Sequence, residues 1–163
     1  MAAEIERKFL IQGDKTPWRA QAGLLYRQGY IPTQNRTTVR IRIAGDQGYV
    51  TLKGPTVGIT RSEFEYPIPT DDAEELLNSL CVPPLIEKYR YRVEFQGYIW
   101  EVDEFLGDNV GLVLAEVELE DAAATVPLPP WVGAEVSHNP KYRNRNLAIN
   151  PYCTWPTDDD RSS

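Results

Sequence analysis

Histidine is nearly missing from this chain: His138 is the only one among 163 residues. A single histidine argues against a histidine triad and a histidine-rich metal centre as the source of any chemistry, and His138 itself reads as a loop residue close before Pro140. Cysteine is almost as scarce. Cys81 and Cys153 are too few and too far apart for a disulfide framework or a zinc site, so two reduced thiols are expected. A basic excess is absent too, since the formal net charge is −7, and this argues against a general nucleic-acid binder. A phosphate ligand would need a locally basic pocket or a bridging metal. No apolar run approaches the ~20 residues needed to cross a bilayer, and the first residues show no secretory signal pattern. These absences give the expectation of a cytoplasmic protein with neither membrane nor nucleic acid as partner. No internal repeat or low-complexity linker divides the chain. One domain over residues 1–156 is expected, with a polar, acidic tail at 157–163 that reads as disordered.

What the chain has in quantity is charge in like-signed pairs two residues apart: Glu4/Glu6, Arg40/Arg42, Glu63/Glu65, Lys88/Arg90, Glu101/Asp103 and Glu116/Glu118. Side chains two apart on a strand point to the same face, about 7 Å apart, so each pair sets two like charges side by side. That is costly without a counter-ion. A metal-complexed polyphosphate would relieve both kinds at once, with divalent cations on the acidic pairs and phosphate oxygens on the basic ones.

Alternation and turn chemistry predict about eight strands in antiparallel succession. They run over 4–11, 24–31, 38–44, 49–53, 61–68, 87–95, 98–105 and 112–119, with turns at Gly45 to Gly48, Gly54 to Thr60 and Gln96-Gly97. That number suits a closed eight-stranded antiparallel β-barrel, giving a mainly β (α+β) fold with a few flanking and C-terminal helices. The clearest helix spans 72–80, where Ala73, Leu76, Leu77 and Leu80 form an apolar stripe, Thr70 or Asp71 serves as cap, and Pro83-Pro84 follows. Shorter helices are expected over 121–125 and 140–147.

The strands have one charged face and one apolar face, and a solvated charged face over an apolar core is the ordinary reading of any single pair. The set as a whole argues otherwise. A solvated face mixes in Thr, Ser and Gln and places opposite charges across strands, whereas like charges here recur within several strands. The favoured arrangement turns the charged rows into the barrel lumen. The apolar exterior must then be covered by helices, by side chains such as Tyr89, Tyr91 and the four tryptophans, or by a second subunit in a homodimer.

Taken in order, Glu4-x-Glu6-x-Lys8, Gln28-Gly29-Tyr30, Arg40-x-Arg42, Leu52-Lys53, Glu63-x-Glu65, Glu87-Lys88-x-Arg90-Tyr91, Glu101-x-Asp103, Glu116-x-Glu118 and Lys141-Tyr142-x-Asn144 resemble the CYTH superfamily, also called the triphosphate tunnel metalloenzymes. The resemblance spans nearly the whole chain. It implies an eight-stranded barrel forming a tunnel that binds a triphosphate with Mg²⁺ or Mn²⁺ and acts on it.

On that reading Arg40, Arg42, Lys53, Lys88 and Arg90 supply donors to the phosphates from several sides. Glu4, Glu6, Glu116 and Glu118 supply hard oxygen ligands for the divalent cation. Glu63, Glu65, Glu101 and Asp103 are further candidates, either as ligands or as anions that orient water or hold Arg and Lys in place. The resemblance also singles out Lys8 and Tyr30 as a pair linked to water activation. An ordinary phenol, with a pKa of about 10, is a poor base at neutral pH unless a cation lowers it, so packing is the competing role for Tyr30, and Lys8 serves equally as a phosphate clamp. Lys141 and Arg143 fall on the expected C-terminal helix, where Arg143 is a candidate phosphate contact at the tunnel mouth. Phosphoryl transfer asks mainly for positioning and charge stabilisation, so no covalent nucleophile is required.

Among activities, hydrolysis of inorganic triphosphate to pyrophosphate and phosphate is favoured. The layout, with Gln28-Gly29-Tyr30 and the segment Trp131-Val132-Gly133-x-Glu135-Val136, resembles family members active on that substrate, and no purine-reading element stands out. Nucleoside or thiamine triphosphate hydrolysis, cyclisation of ATP, and non-catalytic polyphosphate binding remain open alternatives.

Overall fold

The computed structural model describes residues 3–156, so the expected tail at 157–163 lies outside the described residues. Among the described residues, nine strands and three α-helices follow one another in this order: β1 (Ala3–Ile11), α1 (Thr16–Arg19), β2 (Gly23–Ile31), β3 (Thr38–Ala44), β4 (Gln47–Lys53), β5 (Thr60–Ile68), α2 (Thr70–Ser79), β6 (Ile86–Phe95), β7 (Tyr98–Phe105), β8 (Val113–Glu118), β9 (Val132–Glu135) and α3 (Asn144–Ile149). Two hairpins turn on left-handed residues, Gly45 (φ 62°) and the pair Gln96 (φ 48°) and Gly97 (φ 85°). Such turns match the twist of the strands they join. The first is tighter than its sequence suggested, because Gln47 and Gly48 already belong to β4.

The strands lie in the order β5-β4-β3-β2-β6-β7-β8-β1, and β1 returns to β5, so eight antiparallel strands close into a barrel. The closing contact is short, with Ala3, Glu4 and Ile5 facing Ser62, Arg61 and Thr60. Beyond it β1 changes partner on that edge and pairs with β9 through Phe9 and Ile11. This ninth strand was not anticipated. Four residues carry little periodicity, and what fixes them is non-local: the Arg7 guanidinium grips Glu135 with Nη2 at 2.7 Å and Nε at 3.0 Å.

Two expected helices differ. Residues 121–125 form a turn in which the Asp121 side chain accepts from the Ala123 amide at 2.9 Å. Pro127, Pro129 and Pro130 follow at once, and Val126 is drawn into an apolar cluster, so no helix propagates. The expected helix over 140–147 is broken at Arg143, which is extended (φ −72°, ψ 136°) between a single 3-10 turn at Pro140–Tyr142 and α3. Helix α2 starts at Thr70, behind Pro69, and neither Thr70 nor Asp71 caps it. The Thr70 hydroxyl donates to the Asp46 carbonyl instead, at 2.6 Å.

The apolar residues pack mostly outside the barrel wall. Phe9, Trp100, Val102, Ala115 and Val117 are covered by Trp18 of α1 and by Val126, Trp131 and Val132, with Trp100 in edge contact with Trp131 at 5.9 Å. Ile41 and Ile43 of β3 are covered by Ala73 and Leu77 of α2 and by Cys81. A third cluster lies on the inner face. Ile86, Phe105 and Leu114 continue the rows of Lys88, Asp103 and Glu116, and Tyr142, Leu147 and Trp155 pack against them. One end of the lumen is thus filled with apolar side chains by the C-terminal segment.

Candidate functional site

The other end of the lumen is a cavity of about 530 Å³. Strand register builds it, because cross-strand partners share a face. Lys8 sits opposite Glu116, Glu6 opposite Glu118, Tyr30 opposite Arg40, Lys53 opposite Glu63, and Arg90 opposite Asp103. Among the residues singled out from the sequence, Glu4, Glu6, Lys8, Tyr30, Arg40, Arg42, Lys53, Glu63, Glu65, Lys88, Arg90, Glu101, Glu116, Glu118 and Arg143 all line this cavity. Asp103 stands just behind the lining. Lys141 is not in the wall; its ammonium lies 4.4 Å from the Trp155 ring.

Charge is arranged in layers. Deepest is Asp103, which accepts from Arg90 Nε and Nη2 at 2.7 and 2.9 Å and from Lys88 Nζ at 2.7 Å. Burial works to raise its pKa, but Arg90 and Lys88 outweigh that and hold it below the ordinary value. Burial draws the Lys88 ammonium down to about 7, with Asp103 opposing and Arg90 and Arg42 adding to the effect. Asp103 is fully engaged in holding these two cations.

Further out the carboxylates fall into two states. Glu4 accepts from Lys53 at 2.9 Å, and Glu116 lies 3.5 Å from Lys8 Nζ and 3.6 Å from Arg90. Burial pushes Glu116 up, yet Lys8, Arg90 and Lys88 hold it well below the usual carboxylate range. Glu6 and Glu118 form no salt bridge among the described residues. Enclosure by the wall, then Glu116 and Glu4, raise Glu6 to about 8. The cations show the mirror image. Burial, then Arg40 and Arg90, pull Arg42 down to about 10, Arg42 and Arg90 share the ring of Tyr26 at 4.8 and 5.0 Å, and Arg40 Nε is buried without a partner among the described residues.

A match over residues 2–146 to the CYTH domain accompanies this geometry. The chain belongs to the CYTH family. It is 51% identical over 152 residues to the inorganic triphosphatase of Acetivibrio thermocellus, covering 93% of this chain and 97% of that protein. It is 36% identical over 151 residues to the inorganic triphosphatase of Nitrosomonas europaea, covering 90% and 97%. Among solved structures, that of the inorganic triphosphatase NE1496 superposes with a TM-score of 0.61 at 32% identity, covering 89% of this chain and 97% of that one.

The CYTH barrel also brings in residues that the sequence did not single out for a role. Gln28 and Tyr26 lie on the inner face two and four positions before Tyr30, and the same spacing would have found them. Arg61, two before Glu63, is held by neutral acceptors, with Nε donating to the Gly54 carbonyl at 3.0 Å and Nη2 to Thr38 Oγ1 at 3.1 Å. Asn144 and Arg145 reach the cavity from α3, which no strand alternation reveals.

The donor set suits a hard divalent cation. Glu4, Glu6, Glu116 and Glu118 supply only carboxylate oxygens from the β1–β8 wall, and among the described residues neither His nor Cys lines the cavity. Among the described residues, no three such side chains already converge as a ligand set, since Glu4 and Glu116 are turned to Lys53 and Lys8. The like-charge crowding at Glu6 is what a bound cation would relieve.

Proposed function

We propose that this chain hydrolyses inorganic triphosphate to pyrophosphate and phosphate inside the charged half of its barrel, with Mg²⁺ or Mn²⁺. The observation that carries the reading is the pairing of crowded carboxylates with crowded, buried cations in one cavity, a combination that a metal-complexed triphosphate neutralises on both sides. The names borne by the relatives described above support the same activity.

Arg40, Arg42, Lys53, Lys88, Arg90 and Arg143 hold the phosphates, and Glu4, Glu6, Glu116 and Glu118 hold the cation. When bound, the cation offsets phosphate charge and lowers the pKa of a water. Binding exchanges partners rather than baring charge: Lys53 and Lys8 trade a carboxylate for phosphate oxygens, which frees Glu4 and Glu116. Glu63, Glu65 and Glu101 steady Lys53, Arg40 and Arg90, from 3.2, 3.3 and 3.3 Å, and are supplementary metal ligands. Asp103 acts through Lys88 and Arg90. Lys8 and Tyr30 flank the reacting phosphorus. Water adds to the terminal phosphorus as its bridging P–O bond breaks, and pyrophosphate leaves.

The two free cysteines fit a reducing cytoplasm, and no helix among the described residues is long and apolar enough to cross a membrane. A homodimer would find its apolar contact on the uncovered exterior of β4 and β5, where Leu52, Phe64 and Tyr66 are exposed.

Phosphate release from tripolyphosphate, ATP and thiamine triphosphate, with Mg²⁺, Mn²⁺ or EDTA and alongside a cyclic AMP assay, tests the reading. Release from tripolyphosphate alone, abolished by EDTA, is expected. Comparable slow release from all three overturns the substrate, and binding without turnover moves the protein to the binding class. Glu6→Gln and Glu116→Gln abolish metal-dependent turnover, while Arg42→Ala chiefly raises KM, by about tenfold or more for one lost charged contact.

A further inference from the structure

We propose that Gln28 is a positioning residue that fixes the direction of the hydrogen bonds on the inner wall of the cavity, so that Tyr30 meets the substrate as a hydrogen-bond donor rather than as a base. The assignment rests on the phosphate reading of the cavity given above.

Gln28 is completely buried, and its amide makes three contacts. Arg42 Nε lies 3.0 Å from Gln28 Oε1. A guanidinium only donates, so the atom facing it must be the amide oxygen. The amide nitrogen therefore points the other way, to Tyr30 Oη at 2.9 Å and to Asn144 Oδ1 at 3.3 Å. A second contact agrees with this polarity. Lys88 Nζ, which also donates to Asp103, donates to Asn144 Oδ1 at 2.8 Å, so the Asn144 oxygen faces Lys88 and Gln28.

Two consequences reach the cavity. The Tyr30 oxygen already accepts from Gln28, and no described residue accepts its own proton. Tyr30 lines the cavity, so this O–H is available to what binds there. Asn144 lines the cavity too, with its amide oxygen committed to Gln28 and Lys88. Phosphate oxygens only accept, and neutral donors among the cations fit them without adding repulsion. A phenol that keeps its proton while accepting from an amide is arranged to steady charge on a phosphate oxygen in the transition state, and is poorly arranged to take a proton from water. The same amide holds Arg42 by Nε, which leaves both terminal nitrogens of the guanidinium for phosphate.

The test compares wild type, Gln28→Glu, Gln28→Met, Tyr30→Phe and the Gln28→Glu/Tyr30→Phe double variant on tripolyphosphate with Mg²⁺. A carboxylate at position 28 still holds Arg42 but captures the Tyr30 proton. Gln28→Glu and Tyr30→Phe should each lower kcat by about tenfold, the loss expected for one hydrogen bond to a charged oxygen, with KM little changed. The double variant should be no slower than either single one, and the pH–rate profile of Tyr30→Phe should keep its wild-type shape. Gln28→Met, which also releases Arg42, should raise KM as well. Wild-type kcat in Gln28→Glu, multiplicative losses in the double variant, or loss of the acidic limb in Tyr30→Phe each overturn the assignment. If Gln28→Glu fails to fold by circular dichroism, Gln28→Met carries the test, and an unchanged KM there overturns it. If wild type does not turn over tripolyphosphate, the hydrolytic reading falls. The Gln28 assignment is then decided by calorimetry of tripolyphosphate binding in EDTA, where equal, non-additive weakening in Gln28→Glu and Tyr30→Phe supports it and additive or absent weakening overturns it.

Discussion

Glu6 is enclosed by the barrel wall and crowded by Glu116 and Glu4, which together carry its pKa from 4.5 up to about 8. The folded value lies above the unfolded one, so the neutral acid is the form that folding favours. Its contribution to stability is complete below pH about 4.5 and is lost as the pH rises through about 8. In EDTA, the melting temperature should fall across that window, and Glu6→Gln should flatten the slope. Equal slopes in the two proteins would show that another group titrates. Glu116 behaves in the opposite way, because the cations of Lys8 and Arg90 favour its charged form. Burial and like charge push Glu6 toward its neutral form while nearby cations hold Glu116 in its charged form, so two carboxylates on one wall are drawn in opposite directions.

Helix α2 sits on β3 and β4 because Gly48 has no side chain. A Cβ there would come within 2.9 Å of Ala73 Cβ and 3.0 Å of the Ile68 carbonyl oxygen, both parts of the packed structure with little room to yield. Gly48→Ala should lift the helix and lower stability by about 1–3 kcal/mol, read by chemical denaturation, while leaving the inner-face residues in place. An unchanged midpoint would mean that the helix tolerates the shift.

Periodicity reached most of these elements for a physical reason. Charge alternating with Val, Ile and Phe has a period of two residues wherever one face is polar and the other buried, so β3 and β7 match their expected bounds, Thr38–Ala44 and Tyr98–Phe105. The same alternation put each charged pair on one face, and the recurrence of like charges within strands argued that this face is the inner one, where the pairs lie. It did not reach β9, whose four residues are held by a distant Arg7, nor the break at Arg143, where tertiary burial of Tyr142 and Leu147 prevails over helix continuity. Nor did it show that the inner rows turn apolar at Ile86, Phe105 and Leu114, although those residues stand two positions along from Lys88, Asp103 and Glu116.

Over the entire protein the net charge is −7, yet the wall of the cavity concentrates Arg and Lys from β3, β4, β6 and α3 where an anion can reach them. Tripolyphosphate should therefore stabilise the fold in EDTA, by about 2.7 kcal/mol at roughly a hundredfold excess over Kd, a rise of several degrees in Tm. Sodium chloride at matched ionic strength should give far less, since screening alone supplies no ligand. Equal effects of the two salts would remove the cavity as the binding site.

The cylinder is fastened by three residue pairs between β1 and β5 and by the Glu6 amide on the Ile59 carbonyl at 3.3 Å. Glu4 belongs to that fastening and also to the carboxylate wall, so the clasp that makes a tube out of a curved sheet is built from part of the site it encloses. Unzipping those few rungs would part Glu4 from Lys53 and spread the two walls, which makes intact closure a precondition for gathering the charges at all.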